Sequence, residues 1–191
     1  MILTPLHRAI AMFPAQQEKN MKEALQNICG PNGICYGCGP ANPEGIQIKS
    51  YWAEDGKHVI ATVKPEQKYT SWPGLVYGGF LAMLTDCHSN WTVMAHHYRA
   101  DGREPGSLPS INCVTGQLGI RYLKPTPMGV PLHLRAHIEG EVGRKTRVIC
   151  EIRADDELTA VGDSIFFRVD TGALADQAHH RGAAQESGHK A

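Results

Sequence analysis

The sequence has no surplus of charge of either sign: 19 Lys and Arg stand against 19 Asp and Glu. A binder of nucleic acid or of an anionic membrane normally needs a basic excess, so neither is expected beyond a local patch. It also has no long apolar run. None approaches the ~18 residues that a bilayer span requires. Cysteine is sparse, six in 191 residues, too few for a disulfide scaffold. A secretory leader is not expected, because Pro5, His7 and Arg8 break the opening apolar run and no small-residue cleavage site follows. The cysteines are then thiols of a reducing compartment, and the expected location is the cytoplasm. What is present is an ordinary globular balance, 42% hydrophobic and 20% charged, which excludes wholesale disorder.

The length suits one domain with added terminal segments. Residues 15–28 carry helix formers, with Met21, Leu25 and Ile28 on one face. Residues 30–45 are dense in Gly and Pro and form a loop. Residues 46–54 and 58–64 are strand-like and joined by Asp55-Gly56, a hairpin signal. Residues 77–98 are the longest helix, with Leu81, Leu84, His88, Trp91 and Ala95 at helical spacing and no proline among them. Four strand-like runs follow, at 111–124, 131–142, 145–154 and 158–169. Val148, Cys150 and Ile152 alternate with Arg147, Ile149 and Glu151, so one face is buried more than the other. Residues 171–191 lack periodicity and are expected to be a mobile tail. Consecutive strands with tight turns make an antiparallel sheet, and the long helix must bury its faces against it. The fold class is α+β.

Cys35-Tyr36-Gly37-Cys38 is a C-x-x-C with Cys29 nearby. A structural zinc site wants four ligands, and neither a second C-x-x-C nor an H-x-x-x-H is present. A redox site of the thioredoxin kind would need a strand before the motif and a helix after it, where this chain has glycine and proline. The motif is expected to be a turn, with no metal. Cys87 and Cys113 are expected to be small core residues.

The chemistry is expected between Trp72 and Trp91. Gly78-Gly79 stands where the long helix begins. The first helical N–H groups have no internal acceptor, so such a terminus can hold an oxyanion, although a tight loop-to-helix entry needs the same residues. Asp86 lies in mid-helix, where a carboxylate is costly unless paired or solvated. Asn90, one turn on, shares its face and is within reach of a hydrogen bond.

These residues carry a resemblance. Pro73-Gly74-Leu75-Val76-Tyr77-Gly78-Gly79 followed by Leu84-Thr85-Asp86 resembles the signature of hotdog-fold acyl-CoA thioesterases of the PaaI-like group. The lead-in Cys35-Tyr36-Gly37-Cys38-Gly39 with Asn42-Pro43-Glu44-Gly45-Ile46 is similar to that of many members. So is the strand Thr115-Gly116-Gln117-Leu118-Gly119-Ile120-Arg121-Tyr122-Leu123-Lys124-Pro125. The resemblance implies a hotdog fold, an antiparallel sheet wrapped around one long central helix. It divides the chain into an N-terminal extension and loop (1–34), the hotdog domain (35–170) and the tail (171–191). It implies hydrolysis of an acyl-CoA to free acid and CoA, with no cofactor beyond the CoA of the substrate. The Gly78 N–H, with Gly79 beside it, would polarise the thioester carbonyl, and Asp86 would be general base or nucleophile. Asn90 would be an accessory polar group, and Thr115 would help position water. Tyr77 departs from the family's histidine. It keeps a hydroxyl donor but is no base near pH 7.

Gly78 and Asp86 are eight residues apart, ~12 Å along a helix, too far to serve one thioester carbon. Two antiparallel helices from two subunits would bring Gly78 of one against Asp86 of the other. The resemblance implies such a homodimer, and many relatives pair further into tetramers. Arg121, Lys124, Arg144 and Lys145 are candidates for the CoA phosphates, if their strand ends meet at the site mouth. His88 lies about 200° around the helix from Asp86 and is expected to pack under the sheet. His96-His97 would close the helix as cations. His133 and His137 share one strand face and are expected to be surface polar groups. Two other classes stay open, a hotdog hydratase or dehydratase and a non-catalytic acyl-CoA binder.

Overall fold

The computed structural model describes residues 23–169. Residues 15–22 of the helix expected over 15–28, and the tail at 171–191, lie outside the described residues. A short helix α1 (Leu25–Cys29) is followed by a loop, strands β1 (Tyr51–Trp52) and β2 (Val59–Val63), and the long helix α2 (Gly78–Ala100). Strands β3 (Asn112–Tyr122), β4 (Leu132–Glu139), β5 (Lys145–Ala154) and β6 (Glu157–Val169) complete the chain. They form one antiparallel sheet of order β1-β2-β4-β5-β6-β3. The long helix lies across one face of this sheet and packs against β3, β4, β5 and β6. Among the described residues no helix is long and apolar enough to cross a membrane.

The alternation in β5 is decisive for that layering. Val148, Cys150 and Ile152 are fully buried, as are their β4 partners Ala136 and Leu134 against Cys150 and Ile152. Leu84 and Val93 of α2 join them in the same core. The helix comes close to the sheet at Gly162 of β6, where a Cβ would collide with the Thr85 methyl. Only glycine leaves room for the helix there.

Two expected elements are shorter than their patterns suggest. The first strand shrinks from 46–54 to Tyr51–Trp52. Its leading half bonds elsewhere: Ile46 N–H donates to Tyr36 O at 2.8 Å and Ile48 N–H to Gly37 O at 3.1 Å. Gln47 between them has φ +53°, which no regular strand allows. The Asp55-Gly56 hairpin forms as expected, with Tyr51 opposite Ile60 and Gly56 at φ +63°. At the N-terminal side, Ala24 is extended and caps α1, which begins only at Leu25. Leu25 packs with Val59 and Ala95, so α1 is held on the outer end of α2.

Candidate functional site

Asp86 points from α2 towards the edge strand β3, where its Oδ1 accepts a hydrogen bond from Thr115 Oγ1 at 2.6 Å. The expected Asp86–Asn90 bond is not the one made. Asn90 Nδ2 instead donates to Cys113 O at 3.2 Å, on the same strand. The two side chains do share a face, and the strand that covers it supplies a partner to each. The β3–β6 register shifts between Thr115 and Gln117. A bulge of this kind re-aims a side chain, and here it sits beside Thr115.

The N-terminus of α2 is built as its glycines suggest. Tyr77 is the extended N-cap residue, and Phe80 N–H and Leu81 N–H donate to its carbonyl. The N–H groups of Gly78 and Gly79 precede these bonds and have no intrahelical acceptor. The Tyr77 ring folds back over Gly79, where a Cβ would lie 2.5 Å from two ring carbons. A side chain at Gly79 would require the exposed Tyr77 ring to swing away. Tyr122 Oη donates to Gly78 O at 2.8 Å and pins the first turn. Burial raises the Tyr122 phenol above its ordinary pKa, with the neighbouring Tyr77 adding to the shift, so it stays a neutral donor. Tyr122 was not singled out from sequence, although its place in the Arg121-Tyr122-Leu123-Lys124-Pro125 run was visible. A cavity of about 350 Å³ opens here, lined by Gly78, Leu81, Tyr122, Lys124 and Thr126 among others.

The four candidate cations do not converge within one chain. Lys124 lines the cavity beside Gly78 and pairs with Glu157. Arg121 is exposed on the same strand end. Lys145 lies opposite Phe167, which lies opposite Val114, seven residues back along β3 from Arg121. At strand rise that is roughly 20 Å. Arg144 lines a separate cavity of about 480 Å³ with Arg103 and Arg168.

The histidines are mostly structural. His88 is fully buried, as expected, but in a polar network rather than in plain packing. Its Nε2 is 3.1 Å from Val59 O, and its Nδ1 is 2.9 Å from Ser50 Oγ. The carbonyl requires an N–H at Nε2, so Nδ1 accepts from the serine. Gln26 Nε2 donates to the same Ser50 Oγ, and Ser50 N–H donates to Gln26 Oε1. This network ties α1, the β1 approach and α2 together. His96 and His97 are not the cations expected at the helix end. Burial lowers the pKa of both, so the neutral form is favoured. His133 Nδ1 meets Thr62 Oγ1 at 3.0 Å, and His137 lies by Glu139. Neither belongs to a potential metal-holding group among the described residues.

Burial pushes the His88 imidazole down to about 4. The unfolded chain takes up its proton near pH 6.5, while the folded chain does so only near 4. Stability from this group is complete above pH 6.5 and is lost as pH falls towards 4. Urea midpoints at pH 7 and pH 5 should therefore drop measurably in the wild type. His88→Leu should be weaker at pH 7 yet lose less between the two pH values. An equal loss in both proteins would remove His88 from the acid response.

Cys87 is a core residue as expected. Its sulfur also lies close to those of Cys35 and Cys38, an approach the sequence reading did not anticipate. The third thiol comes from mid-α2, a tertiary approach that local spacing does not encode.

With this geometry in place, the protein class follows. A six-stranded antiparallel sheet packed on one long helix is the hotdog architecture. No family model matches the chain, and no curated protein matches it. Solved structures do. A thioesterase superfamily protein from Shewanella loihica PV-4 is 34% identical over 69% of this chain and 98% of that one, with a TM-score of 0.53. A second thioesterase superfamily protein is 26% identical over 76% of this chain and 69% of its own, at TM-score 0.54. A Bacillus halodurans protein, BH2602, solved with CoA, is 26% identical over 65% of this chain and 76% of its own, at TM-score 0.50. The chain belongs to the thioesterase superfamily.

Proposed function

We propose that the chain hydrolyses an acyl-CoA thioester, with Asp86 as general base and the Gly78 N–H as oxyanion donor. The observation that carries this is the 2.6 Å Thr115–Asp86 hydrogen bond at the open edge of the sheet. A water held there loses its proton to Asp86 as its oxygen bonds to the thioester carbon. The carbonyl oxygen, now an oxyanion, is met by the Gly78 N–H at the positive end of α2. Collapse breaks the C–S bond, and the proton on Asp86 passes to the departing thiolate. Asn90, held by the Cys113 carbonyl, keeps the polar face of α2 in register with β3. Lys124 beside the cavity, with Arg121, is placed for the CoA phosphates. The CoA held by the Bacillus halodurans protein supports the substrate class.

The two halves of this site do not meet in one chain, and the active form is proposed to be a homodimer. Strand β3 is an edge strand of 11 residues, and Val114, Leu118 and Tyr122 on it are exposed. A long edge strand with exposed apolar side chains is a template for pairing with a second copy. Pairing there would set Gly78 of one subunit against Asp86 of the other. A hydratase would need a histidine beside Asp86. His88 faces the other way and is engaged by Ser50 and Val59.

The test is release of free thiol from a panel of acyl-CoAs, from acetyl to aryl and long-chain, followed with a thiol reagent. Thiol release supports hydrolysis. Loss of enoyl absorbance without thiol release identifies a lyase, and saturable binding with neither signal identifies a binder.

Tyr77 should tolerate the family residue. Its side chain is 55% exposed at the mouth of the N-terminus. Tyr77→His should keep or raise turnover in the same assay. A large loss in a protein with an unchanged melting profile would give Tyr77 a role of its own in donating to the substrate.

A further inference from the structure

We infer that Cys35, Cys38 and Cys87 form a three-thiolate site for a zinc ion that clamps the 35–39 turn to α2. The three sulfur atoms lie within 4.8 Å of one another, and Cys35 Sγ is 3.9 Å from Cys87 Sγ. Tetrahedral zinc at about 2.3 Å from each sulfur sets the sulfurs roughly 3.8 Å apart. The cluster therefore meets that geometry after at most about an ångström of contraction. Soft thiolates select zinc over the oxygen-seeking cations magnesium and calcium.

The turn is shaped for this approach. Gly39 N–H donates to Cys35 O at 2.8 Å, closing the loop that carries both sulfurs. A Cβ at Gly39 would fall 2.5 Å from Cys35 N and from Gly33 O. A Cβ at Gly37 would collide with Cys87 Sγ. Both glycines are thus required for the turn to reach the helix. Cys38 and Cys87 are buried and Cys35 is exposed, so the fourth coordination position faces solvent on the Cys35 side.

Zinc binding would displace the thiol protons and release them to solvent. The thiols outside the cluster are held protonated by burial, which raises Cys29 to about 11 and Cys113 and Cys150 to about 12. Cys113 and Cys150 are core residues, and Cys29 is half-buried.

The inference stands apart from the hydrolytic reading, because its readout is the metal. Purified wild-type protein should contain about one zinc per chain. After stripping with a chelator under reducing conditions, added cobalt(II) should give thiolate-to-cobalt charge-transfer absorption in the near ultraviolet. Cys38→Ser and Cys87→Ser should lose that absorption and the bound zinc, and Cys29→Ser should keep both. Should the cluster variants fail to fold, the wild-type titration decides alone. Stripped wild-type protein that takes up neither zinc nor cobalt overturns the site. So does a disulfide among the three cysteines found by mass in freshly isolated protein without metal.

Discussion

Asp86→Asn should lose ~10²-fold or more in turnover while the fold is kept, the usual scale for a removed general base. Asparagine is nearly isosteric, and its side-chain carbonyl still accepts from Thr115 Oγ1. Asp86 is only half-buried and has no partner in the apolar core, so the substitution leaves packing untouched. What it removes is the capacity to take a proton from water. The check pairs the rate of thiol release with a thermal melt of the same preparation. An unchanged melt with a collapsed rate places Asp86 in the chemistry. Near-normal turnover would leave it a solvated helix residue whose bond to Thr115 is incidental. Thr115→Val should fall between these extremes, since it removes the hydroxyl that orients the carboxylate but not the base.

The parts of the fold that were legible are those where one pattern governs both local conformation and burial. Val148, Cys150 and Ile152 alternate because β5 has one wet face and one dry face, and the structure buries all three. The helix from Gly78 to Ala100 ran long because no proline interrupts it. Asp86 and Thr115 came from motif order, and the fold brings their side chains within hydrogen-bond distance of each other. The failures share another cause, which is that the deciding partner lies far along the chain. Residues 46–48 alternate like a strand, yet their N–H groups go to Tyr36 and Gly37. Cys87 is the core residue its type suggests, but its approach to Cys38, 49 residues earlier, is not legible locally. His88 has ordinary helical spacing, and its bonds to Ser50 and Val59 depend on how α2 lies over the sheet. The four candidate cations divide within one chain for the same reason: Arg144 and Lys145 lie at the start of β5, away from Arg121 and Lys124, and only the register of the assembled sheet sets that distance.

The proposal that the active site is shared between subunits is tested most directly by mixing two inactive proteins. One carries a bulky residue at Gly78, where a Cβ already meets Tyr122 Oη at 3.2 Å. The other is Asp86→Asn. The ~12 Å between these positions along one helix exceeds the ~3 Å contacts that proton transfer and oxyanion binding require. The two proteins are unfolded together and refolded. In a mixed dimer one site holds both defects, and the other pairs an intact Gly78 with an intact Asp86. Random twofold pairing makes about half the dimers mixed, so about a quarter of wild-type activity should return. If each subunit carries its own complete site, mixing restores nothing. No recovery, with mixed dimers confirmed by mass, would contradict the shared site.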